Sequence, residues 1–304
     1  MRCTIAIAFS SAFLAATGIA DASECKGNPT AIGTSRVLTI DPTEHARVGA
    51  MQYGESLPLN DHEVVLTFDD GPLPPHTKHI LDTLASQCVK ATFFMIGRMA
   101  NEFPGLVRRA FSAGHTIGSH SQNHPSNIQT MPTADAEKEV EDGITSITTA
   151  LGDTEALTPF FRFPGFGRTA EVESYLASRG IMVWSADFPA DDWTHISAQQ
   201  VMARALERLE RKGKGVLLLH DIQPATALAL PGLLQELKRR NYRIVHVVSA
   251  GADRPKTVTE PQQWVLHASA KHFSPSRPKR SLAPRPSPEP GRPLILFPPL
   301  RSPS

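Results

Sequence analysis

The chain has 304 residues, 40% of them hydrophobic and 20% charged, with a formal net charge of +1. That composition suits a globular protein with one large core or two small ones. Residues 23–250 carry 21 basic and 26 acidic side chains, a balance that excludes a basic nucleic-acid-binding surface.

The first 22 residues read as a signal peptide. Arg2 supplies a positive start, residues 4–16 are almost free of charge, and Ala20-Asp21-Ala22 is an A-x-A-like cleavage site. A membrane anchor is the alternative. The apolar run is short and broken by Ser, Thr and Gly, whereas a spanning helix needs about 20 apolar residues. No later segment is apolar enough to span, so the mature protein is expected to be exported, periplasmic or secreted, and monomeric. Cys3 would leave with the signal, and Cys25 and Cys88 remain either as a disulfide or as two thiols. Residues 23–61 form an N-terminal extension with a strand expected at RVLTI.

From 62 to 250 strands and helices alternate. Strands are expected at VVLTF (64–68), ATFFMI (91–96), HTIGS (115–119), PFFRF (159–163), IMVWS (181–185), GVLLL (215–219) and RIVHVV (243–248). Between them lie amphipathic stretches: HTKHILDTLASQ, FPGLVRRAFSAG, AEKEVEDGITSITTAL, TAEVESYLASRG, AQQVMARALERLERKG and LPGLLQELKRRN. Gly114, Gly180 and Gly213 sit where helices should end. Such alternation predicts parallel βαβ units, in either an open doubly wound sheet or a barrel. No Gly-rich phosphate loop follows the first strand, which weakens a dinucleotide-binding version. Residues 251–304 carry nine basic and three acidic side chains and 12 of the 26 prolines, and read as a disordered basic tail. Such a tail can touch anionic envelope polymers or simply be solvated.

Polar clusters follow the strands. They are Asp69-Asp70-Gly71-Pro72, His120 to Pro125, Arg162 to Gly167, Asp187 with Asp191-Asp192-Trp193, and His220-Asp221. In parallel α/β folds the site lies at the C-terminal ends of strands, so five clusters should meet at one rim. Two adjacent carboxylates repel each other and call for compensation. His120 and His124, four apart, can face one ion. With one carboxylate they make a two-His, one-Asp set that leaves a coordination position for water, and the other carboxylate is then free to act as a base. Arg162 reads as a guanidinium held at the rim. Trp193 reads as packing that shapes the pocket, and His220 reads as a general acid.

These residues resemble the polysaccharide deacetylase family, the carbohydrate esterases of family 4 that share a NodB homology domain. Thr67 to Pro72, His120-Ser121-x-x-His124-Pro125, and Leu217-Leu218-Leu219-His220-Asp221 are similar to the family's first, second and last motifs. The match covers about 64–248, within a domain placed at 62–250. The resemblance implies a distorted seven-stranded (β/α) barrel. It implies Asp69 as catalytic base, Asp70, His120 and His124 as metal ligands, and His220 as general acid. Arg162 would orient Asp69, and Asp192 would tune His220 with Trp193 against the imidazole. The fourth motif carries extra residues, so Asp191 and Asp192 both remain candidates for that tuning. The third motif departs from the usual Arg-x-Pro-aromatic-Gly: Gly165 follows Pro164, so the oxyanion N–H would come from Gly165 and the aromatic wall is shifted.

The implied reaction is metal-dependent hydrolysis of N-acetyl groups from N-acetylglucosamine-containing glycans, chitooligosaccharide or peptidoglycan, releasing acetate. Zinc, cobalt and manganese all suit the ligand set. Two alternatives stand beside it. One is hydrolysis of another acetylated glycan such as acetyl-xylan, or of a small amide. The other is a catalytically inactive glycan-binding protein, against which the full set of five reactive side chains speaks.

Overall fold

A computed structural model describes residues 25–266. The signal peptide expected at 1–22 and, of the tail expected at 251–304, the part beyond 266 lie outside the described residues.

All seven strands expected between 62 and 250 form. The order is β1 (Thr34–Ile40), β2 (Arg47–Val48), β3 (Glu63–Asp69), α1 (His76–Ser86), β4 (Thr92–Met95), α2 (Gly97–Glu102), α3 (Pro104–Ser112) and β5 (Thr116–Ser119). Then come α4 (Thr133–Leu151), β6 (Phe160–Phe161), α5 (Ala170–Ser178), β7 (Met182–Trp184), β8 (Phe188–Pro189), α6 (Ala198–Lys212), β9 (Gly215–His220), α7 (Pro224–Arg239) and β10 (Arg243–Ser249).

Every ladder between these strands is parallel. One continuous path runs β8-β9-β3-β4-β5-β6-β7-β2, and β10 joins β3 at Arg243 and Ile244 and carries β1 on its other side. The path does not close: β7 and β8 are consecutive in the chain but pair with different neighbours. The result is a barrel-type sheet left open at one seam.

Sequence chemistry explains the elements. β3, EVVLTFD, is buried along its whole length, as expected of a strand covered on both faces. α1 turns Ile80, Leu81 and Leu84 inward, and these join Leu66, Phe68, Phe93, Leu217 and Leu219 in the largest apolar cluster. α6 starts with a capping box in which Ser197 and Gln200 satisfy each other's backbone N–H groups, and it ends on left-handed Gly213.

The N-terminal segment is part of this body. β1 runs parallel to β10 from Thr34 to Ser249, and a Cys25–Cys88 disulfide, Cα–Cα 5.6 Å, ties its start to the loop before β4. Gly49 lies so close to Ser185 that a Cβ would sit 2.6 Å from its backbone carbon. Asp187 binds the segment further on: its carboxylate accepts from Ala50 N, Ser56 Oγ and Val216 N. Past 250 the chain also stays on the body as far as 266. Trp264 is buried and stacks on His45 at 3.5 Å, because its indole completes the cluster around Leu38, Leu57 and Val247.

Candidate active site

Asp69 is the last residue of β3, and Asp70 turns left-handed at φ 78°. That turn sends the two neighbouring carboxylates in different directions. A non-glycine residue rarely adopts such a backbone, and clusters of them mark sites held under constraint. Ser121, His124, Phe166 and Asp191 share it around the same rim.

The Asp70 side is built for a cation. Asp70 Oδ1 lies 3.4 Å from His120 Nε2 and 3.3 Å from His124 Nε2, and the three candidate ligand atoms all lie within 4.8 Å of one another. Burial pushes the Asp70 carboxyl up, but its contact with His120 and the charges of His120, His220 and His124 outweigh this and hold it at about 2. It is therefore ionised at neutral pH. Burial, and then the neighbouring His120, push the His124 imidazole down, toward the neutral form that binds metal. His120 Nδ1 donates to the Arg162 carbonyl at 2.6 Å, which aims Nε2 at the site in the manner of metal-ligating imidazoles. Asp70 Oδ1 is buried without a hydrogen-bond partner among the described residues. An ionised carboxylate oxygen left so is costly. These residues fit a divalent cation with two nitrogens and one oxygen.

The Asp69 side belongs to Arg162. This arginine follows β6 and is fully buried. Its Nη1 donates to Asp69 Oδ1 at 2.7 Å and to Thr67 Oγ1 at 2.9 Å, and its Nη2 donates to the Ser185 carbonyl at 2.9 Å. The guanidinium also lies 4.3 Å from the centroid of the Phe94 ring. Burial lowers its pKa, opposed by the charge of Asp69. The base candidate is thus fixed in place by a buried cation.

The third wall carries His220, the last residue of β9. Its Nδ1 donates to Asp192 Oδ1 at 2.8 Å, and its backbone N–H donates to Asp192 Oδ2 at 2.7 Å. Thr226 Oγ1 adds a third donor to Asp192. Burial pulls the His220 imidazole down, but the Asp192 carboxylate, with help from Asp70 and Asp69, raises it to about 9. Asp191 turns the other way and pairs with Arg204 and Arg208. Of the two neighbouring aspartates, Asp192 is the one on His220. Trp193 stands edge-on to the imidazole at 5.4 Å. It is 42% exposed, so it lies at the rim rather than in the core.

Asp69, Asp70, His120, His124, Trp193 and His220 line one cavity of about 360 Å³, together with Phe163, Gly165, Phe166 and Leu218. Pro164, buried, opens the turn that carries Gly165 at φ 54°. The third-motif departure has a local answer: Phe166 supplies an aromatic wall one position later.

Sequence reading gave no role to Asp221. It is fully buried, accepts from Thr77 Oγ1 at 2.6 Å and sits against Gly71, where a Cβ would lie 2.0 Å from its carboxylate. Burial, with repulsion from Asp70 and Asp69, lifts it to about 7. Its place directly after His220 in a motif was the available signal. Asp187, grouped by sequence with the rim residues, is instead the buried staple of the N-terminal segment.

Comparison with known proteins agrees with this geometry. The family profile described as polysaccharide deacetylase matches residues 57–184. The chitooligosaccharide deacetylase of Sinorhizobium fredii is 34% identical over 168 residues, which is 55% of this chain and 75% of that protein. This chain belongs to the polysaccharide deacetylase family. The peptidoglycan-N-acetylglucosamine deacetylase PgdA of Listeria monocytogenes is 34% identical over 184 residues, covering 60% of this chain but only 38% of that protein. The solved peptidoglycan deacetylase Bd3279 of Bdellovibrio bacteriovorus superposes with a TM-score of 0.64 at 30% identity, covering 74% of this chain and 62% of that one. The barrel-type fold is thus shared with deacetylases. No helix among the described residues is long and apolar enough to cross a membrane.

Proposed function

We propose that this polysaccharide deacetylase family member is an exported, metal-dependent hydrolase that removes acetyl groups from N-acetylglucosamine units of peptidoglycan or chitooligosaccharides. The cation would be held by Asp70, His120 and His124. Zinc is the first choice for a site with two imidazoles and a carboxylate, with cobalt or manganese as substitutes. When bound, it supplies Lewis-acid polarisation of the acetyl carbonyl and a lower pKa for water.

The chain's own residues do the rest. The N-acetyl sugar enters the cavity between Phe166 and Trp193. Asp69, oriented by Arg162, takes the proton of the attacking water. The Gly165 N–H donates to the oxygen as it gains negative charge, an interaction of a kind worth about 3 kcal/mol per donor. His220, kept protonated by Asp192, gives its proton to the departing nitrogen as the C–N bond breaks. Acetate and the free amino sugar leave. The Cys25–Cys88 pair supports export, since disulfides persist in oxidising compartments.

One observation carries this reading: a carboxylate fixed by a buried arginine, an imidazole held by Asp192 and a cation-ready triad all line the same cavity. Acetate release from a panel of N- and O-acetylated glycans tests it. Release from N-acetylglucosamine oligomers or peptidoglycan supports it, and release only from O-acetyl xylan or from none overturns it.

A further inference from the structure

The turn after β6 carries two consecutive left-handed residues, Gly165 at φ 54° and Phe166 at φ 61°. Glycine adopts that backbone freely, but at an L-residue the Cβ crowds the following carbonyl oxygen. A bulky aromatic holds it only where the surroundings impose it. Two bonds close the turn from within: Phe166 N donates to Phe163 O at 3.0 Å, and Gly167 N donates to Pro164 O at 3.0 Å. These fix the N–H groups of the turn. They leave the Phe166 carbonyl to a partner from elsewhere.

That partner is Gln52. Its Nε2 donates to Phe166 O at 2.9 Å across 114 positions of sequence. Gln52 lies outside the residues that match the family profile, 57–184. It belongs to the N-terminal segment, and the backbone on either side of it is tied down. Met51 N donates to Ala186 O at 2.9 Å, Ala50 N donates to Asp187 Oδ1 at 2.7 Å, and Tyr53 N donates to Gly49 O at 3.0 Å. Just beyond, Tyr53 Oη donates to Glu173 Oε1 at 2.7 Å, and Glu173 also holds Arg47 and Arg168. The Gln52 amide is therefore presented on a rigid mount. It also lines a second polar cavity of about 430 Å³, together with Arg168.

We propose that Gln52 is a positioning residue for the turn of the deacetylase site: it holds Phe166 in its left-handed backbone, and thereby sets the Gly165 N–H and the Phe166 ring on the cavity wall. The inference rests on the proposed function for its catalytic consequence, but not for its structural one. Gln52 touches no reacting atom and acts through the turn. A single hydrogen bond of this kind is too little to decide whether the body folds. It is enough to shift a turn between two conformations.

Two variants test it. Gln52→Met keeps the length and loses the donor, and Gln52→Lys restores a donor at similar reach. Two readouts are needed. Amide hydrogen exchange should show Phe166 and Gly167 exchanging several-fold faster in Gln52→Met, with Tm and the exchange of β3 and β9 unchanged, and Gln52→Lys returning toward the parent. Acetate release should show kcat falling about tenfold in Gln52→Met with little change in zinc affinity, and recovering in Gln52→Lys. Unchanged exchange at Phe166 and Gly167 in Gln52→Met overturns the proposal whatever the activity does. A uniform rise in exchange with a lowered Tm also overturns it, because Gln52 would then be a general stabiliser. If the parent protein releases no acetate from any glycan, the proposed function fails, and the exchange data still decide the role of Gln52.

Discussion

Two walls of the cavity, the one carrying Asp70 and the one carrying His220, differ in a respect that organises its chemistry. On the His220 wall Asp192 is satisfied within the protein: it accepts from the His220 ring, from the His220 backbone and from Thr226. On the Asp70 wall a buried carboxylate oxygen has no hydrogen-bond partner among the described residues, and two imidazole nitrogens converge on it. The Asp192–His220 pair is satisfied as folded, whereas the Asp70 wall has the geometry of a candidate cation site. Removing the cation should therefore disable the Asp70 wall and leave the His220 wall in place.

The largest effect is expected from the open wall. His120→Ala should lower kcat/KM by roughly 10³-fold or more, since Lewis-acid stabilisation is worth several kcal/mol. Metal analysis of the purified variant should show the cation lost. The His220 imidazole, followed by NMR, should keep its paired environment. A displaced His220 resonance would mean that the two walls are coupled.

Asp69→Asn and His220→Ala come next. General acid–base groups contribute about 10²–10⁴-fold, and both variants should fall in kcat by that order while the cation stays bound. Near-normal turnover in either purified variant would falsify the role assigned to it.

Asp192→Asn sharpens the contrast through pH. With Asp192 in place the His220 pKa is raised from 6.5 to about 9, so the acid form should fail, and activity decline, as pH rises toward 9 at most. A bound cation adds positive charge and moves that limit lower. The same shift links to stability. The pair's contribution is fully present below pH 6.5 and is lost as pH rises through the folded pKa. In Asp192→Asn the alkaline limb of the kcat/KM profile should move to lower pH and the extra stability at neutral pH should vanish. An unmoved limb would assign the acid to another group.

The smallest effect is expected at Gly165. A Cβ there meets nothing within 4 Å, although φ is 54°. Gly165→Ala should cost roughly 1–2 kcal/mol of backbone strain while keeping the N–H, with kcat reduced only a few-fold.

Much of this arrangement was legible in the sequence. The seven strands expected between 62 and 250 lie in sequence runs long enough, and rich enough in β-branched and aromatic residues, to show a pattern, and the clusters that follow them are short and local. His120, His124 and the Asp69–Asp70 pair could be picked out because their residue types and spacing suit one ion, and the choice of Asp70 as the ligand came from the family resemblance. Other features were not legible. β2 and β8 span two residues each, too few for any periodicity. α2, at six residues, merges into the helical pattern of α3. Trp264 sits in a stretch whose prolines and charges read as tail, and it is buried because of partners from Leu38 to Val247 that are remote in sequence. The choice between Asp191 and Asp192 depended on a left-handed backbone at Asp191 that sends its side chain to Arg204 and Arg208. Gln52 is a lone polar residue between Met51 and Tyr53, and nothing in its sequence surroundings points to a contact with Phe166.

The most direct measurement is a titration of zinc into metal-stripped protein, with acetate release from N-acetylglucosamine oligomers assayed at each step. Activity absent at the start and rising to a plateau at one zinc per chain is the expected result, with Asp70→Asn failing to respond. Full acetate release from the metal-free protein, or binding that Asp70→Asn leaves intact, would contradict the assignment of the Asp70 wall as the cation site.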